Sequence, residues 1–406
     1  MKLSTSAPSK VLKLVSGTFT SRAEKERRAA QAHNLAAPVN QLFPEILAYI
    51  FELASAKIRD TSMDWIALSH TCQLWRNIAL DHQPLWSDIS FLNLGLTEAM
   101  IARSGSMPIT VRLRHSDNRT PAWIQAFHKL EHPPIDRIRS LVVVGSFGKR
   151  SLEQLSTSWL GQDLHSLENL EVDGSVGFET DVGELCKRLV SSAPPLRRIL
   201  FKNVMIAKWD VLPKLGANLK SLSLWWNISD GINRGLAPSI SELVGYLKLI
   251  PLLEYFAVSG LNAGTTNSDL PILTLKNLKT FITLDSVHTQ TLLFGAMHIP
   301  NVQRIVIRVD DPMQSTVQLD QLVASIRRAW KGKAKDSVFR RLSTGLKPSG
   351  SHAYKNYPWV KVCDDTAGCA TITFKCMGRG TTFSAVEEIF QKRLGLTKDQ
   401  TNKCVR

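Results

Sequence analysis

The sequence lacks the features that would place it among secreted or membrane proteins. Its six cysteines are scattered along 406 residues, and none forms the C-x₂-C pair of a zinc module. No stretch approaches the ~18 uncharged apolar residues of a membrane span, and the early apolar run at 11–15 is interrupted by Lys13. We therefore expect no membrane segment and no secretory signal, and we expect a reducing intracellular compartment, cytoplasmic or nuclear.

Motifs of catalysis and of cofactor binding are also missing. Neither H-E-x-x-H nor G-x-S-x-G occurs. The stretch GSFGKR at 145–150 is not a phosphate-binding loop, because Val143 replaces the first glycine and Arg150 the Ser or Thr. Four residues with zinc-binding side chains lack the spacing of ligand pairs: His352, Cys363, Cys369 and Cys376. We predict no enzyme activity, no metal and no cofactor.

Acidic residues are scarce only at the two ends of the chain, where the formal net charge of +15 arises. Residues 1–37 contain seven Lys or Arg and two acids, and residues 321–406 contain seventeen and six. The nearly neutral centre makes nucleic acid an unexpected partner, although a nucleic-acid-associated protein using its basic ends stays an alternative. The basic run 327–347 is typical of a solvated face, with a nuclear-import signal or a patch for an acidic partner as alternatives.

The segment from residue 41 to 89 carries the most specific pattern. Pro44 suits the first position of a helix, where its missing N–H costs nothing. An apolar stripe at helical spacing follows: Leu47, Ile50, Phe51 and Ala54. After a polar break, a second apolar stripe also has helical spacing: Leu68, Cys72, Trp75 and Ala79. Periodicity alone predicts a small helical unit, for which a generic helical hairpin is the simplest interpretation.

The order of residues in this segment resembles the F-box, in the fungal form L-P-x-E-I-L-x-x-I-F, a spacer, L-x-x-V-C-x-x-W-R-x-x-A and P-x-L-W. The matching residues are Leu42, Pro44, Glu45, Ile46, Leu47, Ile50, Phe51, Leu68, Cys72, Trp75, Arg76, Ala79, Pro84, Leu85 and Trp86. Phe43 and Thr71 depart from the pattern. The resemblance implies a three-helix module that docks the Skp adaptor, and through it the cullin, of an SCF-type ubiquitin ligase. All the matching residues except Arg76, Ala79 and Pro84 are the expected adaptor-binding set.

From about residue 91 to 310, an apolar anchor followed by apolar residues three and five positions later recurs seven times. The triplets are Ile138-Leu141-Val143, Leu167-Leu170-Val172, Leu196-Ile199-Phe201, Leu219-Leu222-Leu224, Leu253-Phe256-Val258, Leu278-Phe281-Thr283 and Val302-Ile305-Ile307. Successive anchors are 23 to 34 residues apart, and the pattern resembles the strand of a degenerate leucine-rich repeat. Helical stripes between the triplets, such as Val182-Leu185-Leu189 and Ile240-Leu243-Val244-Leu247, favour a curved solenoid. A non-repeating α/β domain is the alternative.

We therefore predict an α/β protein in which a small three-helix F-box precedes a leucine-rich-repeat-like solenoid of parallel strands and helices. The predicted regions are a basic, disordered tail at 1–37, the F-box at 38–90, the repeat domain at 91–310 and a basic cap at 311–406. For the tail, a short polar helix and a transit peptide are alternatives. The cap is predicted to contain a helix at 319–330, a strand at 370–377 and a helix at 383–394.

Alternation along the repeat strands places a second set of side chains on the concave face of the solenoid. These are Val142, Leu200, Lys202, Trp225, Ile282 and Val306. We expect Trp225, Lys202 and Ile282 to contact a target protein, with Trp225 as the anchor or, alternatively, as a packing residue. The sequence thus predicts a non-catalytic, substrate-recognition subunit of a ubiquitin ligase. An F-box scaffold without a role in ubiquitination is the alternative, and the target is not identifiable.

Overall fold

A computed structural model gives the fold, which contains two compact units, Met1–Trp86 and Ser87–Arg406. The described residues are 21–58, 63–91, 94–115, 130, 133–145, 164–174, 180–206, 208–226, 237–263, 271–309, 316–331, 339–348, 356–364, 369–374, 388–389, 392 and 401–403. The division follows Trp86, whereas the F-box was predicted to end at residue 90. Among the described residues, no helix is both long and apolar enough to cross a membrane.

The first unit is helical throughout its described part. Its helices are α1 (Arg22–Ala36), α2 (Pro44–Ile58), α3 (Gln73–Asp81) and α4 (Gln83–Trp86), with 3₁₀ helices at Pro38–Gln41 and Asp64–His70. Helix α2 begins at Pro44, as predicted, and Glu45 in its first turn is favourably placed in the helix dipole. Helix α1 lies within the region 1–37 that was predicted as a disordered tail, for which a short polar helix was the alternative, and none of its residues is buried.

The second predicted helical stripe is divided between two helices. Cys72 has extended backbone angles (φ −154°, ψ 169°) at the start of α3, so it separates that helix from the 3₁₀ helix Asp64–His70. Leu68 therefore lies on the 3₁₀ helix and Trp75 on α3. The prediction of one continuous helix through the four positions is wrong, because the backbone at Cys72 cannot continue a helical turn.

A cluster of aromatic rings holds these helices together. The rings of Phe51 on α2 and Trp75 on α3 have centroids 4.9 Å apart. Trp65 and Trp86 make an edge-to-face contact at 5.2 Å, a favoured geometry for aromatic pairs. The indole Nε1 of Trp86 donates a hydrogen bond of 2.6 Å to the carbonyl oxygen of Ala79. The short helices are thereby tied to α2 by packing and by a satisfied buried donor.

The second unit is built on one thirteen-stranded sheet. Its strands run in the order β1-β2-β3-β4-β6-β8-β9-β11-β13-β16-β15-β14-β17. The strands are β1 (Asp88–Ser90), β2 (Ile109–His115), β3 (Ile138–Gly145), β4 (Asn169–Gly174), β6 (Arg198–Lys202), β8 (Ser221–Trp225), β9 (Tyr255–Ser259), β11 (Thr280–Asp285), β13 (Arg304–Val309), β14 (Phe339–Pro348), β15 (Asn356–Asp364), β16 (Cys369–Phe374) and β17 (Thr401–Lys403). Two small parallel pairs lie outside it: β5 (Thr180–Asp181) with β7 (Val204–Met205), and β10 (Leu273–Thr274) with β12 (Met297–His298).

Nine strands, from β1 to β13, are parallel and follow each other in chain order within the sheet. All seven predicted repeat strands are among them. The second apolar position of each triplet pairs with its equivalent on the next strand: Leu141, Leu170, Ile199, Leu222, Phe256, Phe281 and Ile305. The third position forms a parallel row from Val143 to Ile307, and no residue of either row is more than 1% exposed. The predicted anchors are buried as well.

Helices alternate with these strands, as the sequence predicts. They are α5 (Leu94–Arg103), α6 (Gly183–Ser192), α7 (Val211–Leu215), α8 (Ile240–Leu247), α9 (Val287–Gly295) and α10 (Thr316–Lys331), with a 3₁₀ helix at Ile135–Arg137. The predicted stripes of α6, α8 and α10 are buried. Ser239 and Glu242 form a reciprocal capping box that begins α8. The fold is therefore α/β, with a parallel sheet and alternating helices compatible with a solenoid.

Side-chain bridges between turns support the repeating arrangement. Asn277 and Asn301 each precede an anchor by one residue. Both donate through Nδ2 to the backbone carbonyl that lies two residues before the anchor of the preceding strand. Asn277 reaches Pro251 at 2.9 Å and Asn301 reaches Lys276 at 2.8 Å. Equivalent asparagines thus make equivalent contacts, which is expected when each structural unit covers its neighbour.

The C-terminal region continues the sheet. Strand β16 pairs in parallel with β13, and the antiparallel strand β15 joins it to β14. The predicted strand at 370–377 is therefore confirmed as β16, whereas β14 and β15 were not predicted. The predicted helix at 383–394 lies mostly outside the described residues, as do 146–150, His352 and Cys376.

Candidate functional site

Helix α2 has one buried face and one exposed apolar face. Leu47, Ala48, Phe51 and Ser55 are buried in the helical unit. Four large apolar side chains on the other side of α2 are 40–58% exposed: Ile46, Tyr49, Ile50 and Leu53. Their spacing of three and four residues gathers them on one side of the helix. Leu42 and Phe43, directly before α2, extend this set with exposures of 40% and 76%. We call this set the α2 apolar stripe.

The expected adaptor-binding residues divide into three groups by exposure. Leu42, Pro44, Glu45, Ile46 and Ile50 are exposed. Leu68, Cys72 and Trp75 are half-buried. Leu47, Phe51, Leu85 and Trp86 are buried at 1% exposure or less, so they hold the unit together rather than offering a surface to a partner. The pattern therefore mixes residues of a surface with residues of the core beneath it.

The predicted stripe of α2 was wrong in its composition. Ile50 and Ala54 are exposed, whereas a single buried face was expected to include them. At 100° per residue, Ile50 lies about 60° from Leu47 on the side away from Phe51, where the buried and exposed faces meet. The residues that sequence reasoning missed are Tyr49 and Leu53, which stand three and four residues from known members of the exposed set.

Hydrogen bonds fix the chain on the N-terminal side of α2. The Nε1 of Trp75 donates to Oδ1 of Asn40 at 2.6 Å, and Nδ2 of Asn40 donates to the carbonyl oxygen of Asn34 at 2.6 Å. Asn40 thus uses both ends of its amide to join α1 and α3. Because Leu42 and Phe43 follow directly, this bridge sets where the α2 apolar stripe begins.

In the second unit, the residues predicted to contact a target lie on one face of the sheet. The buried rows point to one side, so alternate residues point to the other, which we call the open face. Lys202, Trp225 and Ile282 all belong to the open face; Lys202 is exposed and the other two are half-buried. Leu200 and Val306 are half-buried too, but Val142 is only 5% exposed and offers little surface.

The two adjacent tryptophans have opposite environments. Trp225 is half-buried on the open face. Trp226 is 2% exposed, donates from Nε1 to the carbonyl oxygen of Val204 at 3.0 Å, and meets the ring of Trp209 edge-to-face at 5.4 Å. Trp226 therefore has the packing role, and Trp225 keeps a partly accessible ring.

Charges at the beginning of the strands are compensated. Glu168 lies between Arg139 at 3.0 Å and Arg197 at 4.0 Å. Glu254 lies between Lys279 at 2.6 Å and Lys220 at 3.2 Å. Hydrogen bonds from Lys279 and then Lys220, with their positive charges, lower the pKa of the Glu254 carboxyl. Both carboxylates at this margin of the sheet are therefore paired, and each lies between two cations.

No protein-family model matches the chain, and no curated protein shows a significant match to it. Within the described residues, no group of three or more His, Cys, Asp or Glu side chains could hold a metal ion.

Proposed function

We propose that the chain is the substrate-recognition subunit of an SCF-type ubiquitin ligase in the cytoplasm or nucleus. The helical unit docks the Skp adaptor, which connects it to the cullin, and the leucine-rich-repeat-like unit binds a target protein. The chain supplies no catalytic group or cofactor. It acts by raising the effective concentration of the target near the ubiquitin-loaded enzyme.

The observation that carries this proposal is the α2 apolar stripe. Six neighbouring apolar side chains, including Phe43 and Tyr49, stay between 40% and 76% exposed, although the same unit buries the rings of Phe51, Trp65 and Trp86. Contiguous exposed apolar surface on a soluble domain usually marks a protein-binding site. Leu42, Ile46 and Ile50 of this stripe are also motif residues, so the exposed surface and the F-box resemblance coincide.

The buried motif residues have a supporting role in this proposal. Phe51 packs against Trp75, and Trp86 against Trp65, which fixes the rotation of α2 about its axis. A rigid helix presents its apolar side chains without the entropic cost of ordering the backbone on binding. Changing Phe51 or Trp86 is therefore a test of folding rather than of adaptor contact.

The first prediction concerns the stripe. Ile46→Gln combined with Ile50→Gln keeps good helix formers at exposed positions but removes apolar area at the proposed interface. We expect adaptor affinity to fall by about 2 kcal/mol or more, roughly 30-fold, as for truncation of an interface anchor. Binding of the purified Skp adaptor to the full chain, measured by calorimetry, provides the test.

Leu35→Gln is the matched control, since Leu35 is 60% exposed in the same unit but lies on α1, outside the stripe. It should leave adaptor binding unchanged. Full affinity of the Ile46 and Ile50 double variant, or no adaptor binding by the unaltered chain, would reject the proposal. Adaptor binding without ubiquitin transfer to any co-purified protein in a reconstituted ligase would instead identify a scaffold.

A further inference from the structure

The open face between β6 and β13 combines basic and apolar side chains in three in-register rows. The first row is Arg198, Ser221, Tyr255, Thr280 and Arg304. The middle row is Leu200, Ser223, Ala257, Ile282 and Val306. The third row is Lys202, Trp225, Ser259, Leu284 and Arg308. We call these fifteen positions the β6–β13 face.

The charges of this face are of one sign. Its four basic side chains lie on the two outer strands, Arg198 and Lys202 on β6 and Arg304 and Arg308 on β13. None of its positions is acidic. Lys202 is paired with Asp173 on β4 at 2.8 Å. Within the part of the chain that the structure describes, the exposed side chains of Arg198, Arg304 and Arg308 have no ion-pair partner. The cations at the strand beginnings differ from these arginines because they are paired with Glu168 and Glu254.

The middle of the face is suited to apolar contact. Ser223, Ala257 and Ser259 are small and at most 4% exposed, so they form the bottom of a shallow depression. The larger half-buried side chains around this depression are Leu200, Trp225, Tyr255, Ile282, Leu284 and Val306. A large apolar side chain of a partner could pack in the depression. Arg198 lies on one side of it, and Arg304 and Arg308 lie on the other.

The dimensions of these fifteen positions accommodate a short chain segment. At ~4.8 Å between strands and ~3.3 Å between residues, the fifteen positions span about 19 Å by about 13 Å. That area is well below the roughly 800 Å² that each partner contributes to a standard interface. An extended segment of about six residues has the matching length.

We propose that the β6–β13 face binds an acidic segment of the target protein, with one large apolar side chain seated between Trp225 and Tyr255. This rests on the proposed function, for which it specifies the class of target. Carboxylates would pair with Arg198, Arg304 and Arg308, whose planar guanidinium groups suit two-point hydrogen bonding. The chain's own ends, 1–37 and 321–406, are basic and are repelled. The nearly neutral centre of the chain, residues 38–320, forms no continuous basic groove and so favours a peptide over single-stranded nucleic acid.

The test is selection of a displayed library of random twelve-residue peptides on the purified full chain. We expect enrichment of Asp and Glu together with one large apolar residue. For the selected peptides, Arg304→Gln and Arg308→Gln should each weaken binding roughly tenfold, as expected for loss of a hydrogen bond to a charged group. Trp225→Ala should weaken binding by at least as much, and Arg328→Gln, an exposed arginine on α10, should have no effect.

Each other outcome overturns the inference. These outcomes are selected peptides without acidic residues, failure to select any peptide, and affinities that are insensitive to the Arg304, Arg308 and Trp225 changes. A single-stranded oligonucleotide that displaces the peptides and binds more tightly, with a steep dependence on salt, would assign the face to nucleic acid. The same preparations are assayed for the Skp adaptor. Retained adaptor binding without peptide binding would overturn the face alone, and the reverse would overturn the ligase proposal alone.

Discussion

Cys186 on α6 is a nucleophilic side chain made unreactive by its surroundings. It is fully buried, and burial, with the nearby negative charge of Asp181 as a lesser cause, raises the pKa of its thiol from 9.0 to about 12. The charged thiolate is disfavoured in the folded protein because it would lose its hydration. Cys186 is therefore a structural apolar residue and not a reactive thiol.

The raised pKa predicts a pH-dependent stability. The folded protein holds the Cys186 proton more tightly than the unfolded chain does, so this contribution is complete below pH ~9 and is lost as pH rises toward ~12. Relative to Cys186→Ala, the chain should lose about 1–2 kcal/mol of unfolding free energy between pH 8 and pH 10.5. Urea unfolding of both proteins at the two pH values measures this difference. Parallel pH dependence of the two proteins would contradict it.

At the scale of elements, strands and helices meet through an aromatic cluster in the second unit. Phe256 on β9 and Phe281 on β11 stack with centroids 5.5 Å apart. Phe294 on α9 meets Phe281 edge-to-face at 5.3 Å. All three rings are fully buried. One residue further along β11, Ile282 faces the opposite side of the sheet and is half-buried.

Phe281 and Ile282 therefore provide a matched pair for mutation. Phe281→Ala removes the central ring of the cluster and should cost about 3–5 kcal/mol of unfolding free energy. Ile282→Ala should cost clearly less, because part of that side chain already contacts water. Thermal or urea unfolding of the two variants gives the comparison. Equal losses would mean that the open face of β11 is as tightly packed as its core face.

The strands were predictable from the sequence because buried and exposed positions alternate along a strand, and apolar residues then recur at every second position. Leu222 and Leu224 are apolar since they are buried, and their spacing of two residues has no helical interpretation. The surface of α2 was not predictable in the same way. A helix that binds a partner is apolar on both sides, so Ile46, Ile50 and Phe51 look alike in sequence although only Phe51 is buried. Two other kinds of feature depend on contacts between residues that are far apart in the sequence, and local patterns do not reveal them. They are short strands such as β1 and charge pairs such as Lys202 with Asp173.

At the scale of the whole molecule, the two compact units carry different parts of the proposed function. We expect a chain of residues 87–406 to unfold cooperatively and to retain binding of the selected acidic peptides. It should not bind the Skp adaptor, since the α2 apolar stripe is absent from it. Calorimetric unfolding and both binding assays on this fragment check the expectation. A fragment that binds the adaptor would place the docking surface in the second unit.

The in-register rows also determine how the second unit can change over evolutionary time. Distances between successive anchors vary from 23 to 34 residues, yet within every triplet the spacing of three and then two residues is constant. Inserting one residue inside β8 would turn Leu222 and Leu224 outward and Trp225 inward, and would dislocate the rows shared with β6 and β9. Insertions and deletions between strands would leave these rows intact, whereas those within a strand would break them. New target preferences are expected to arise by point substitution on the open face.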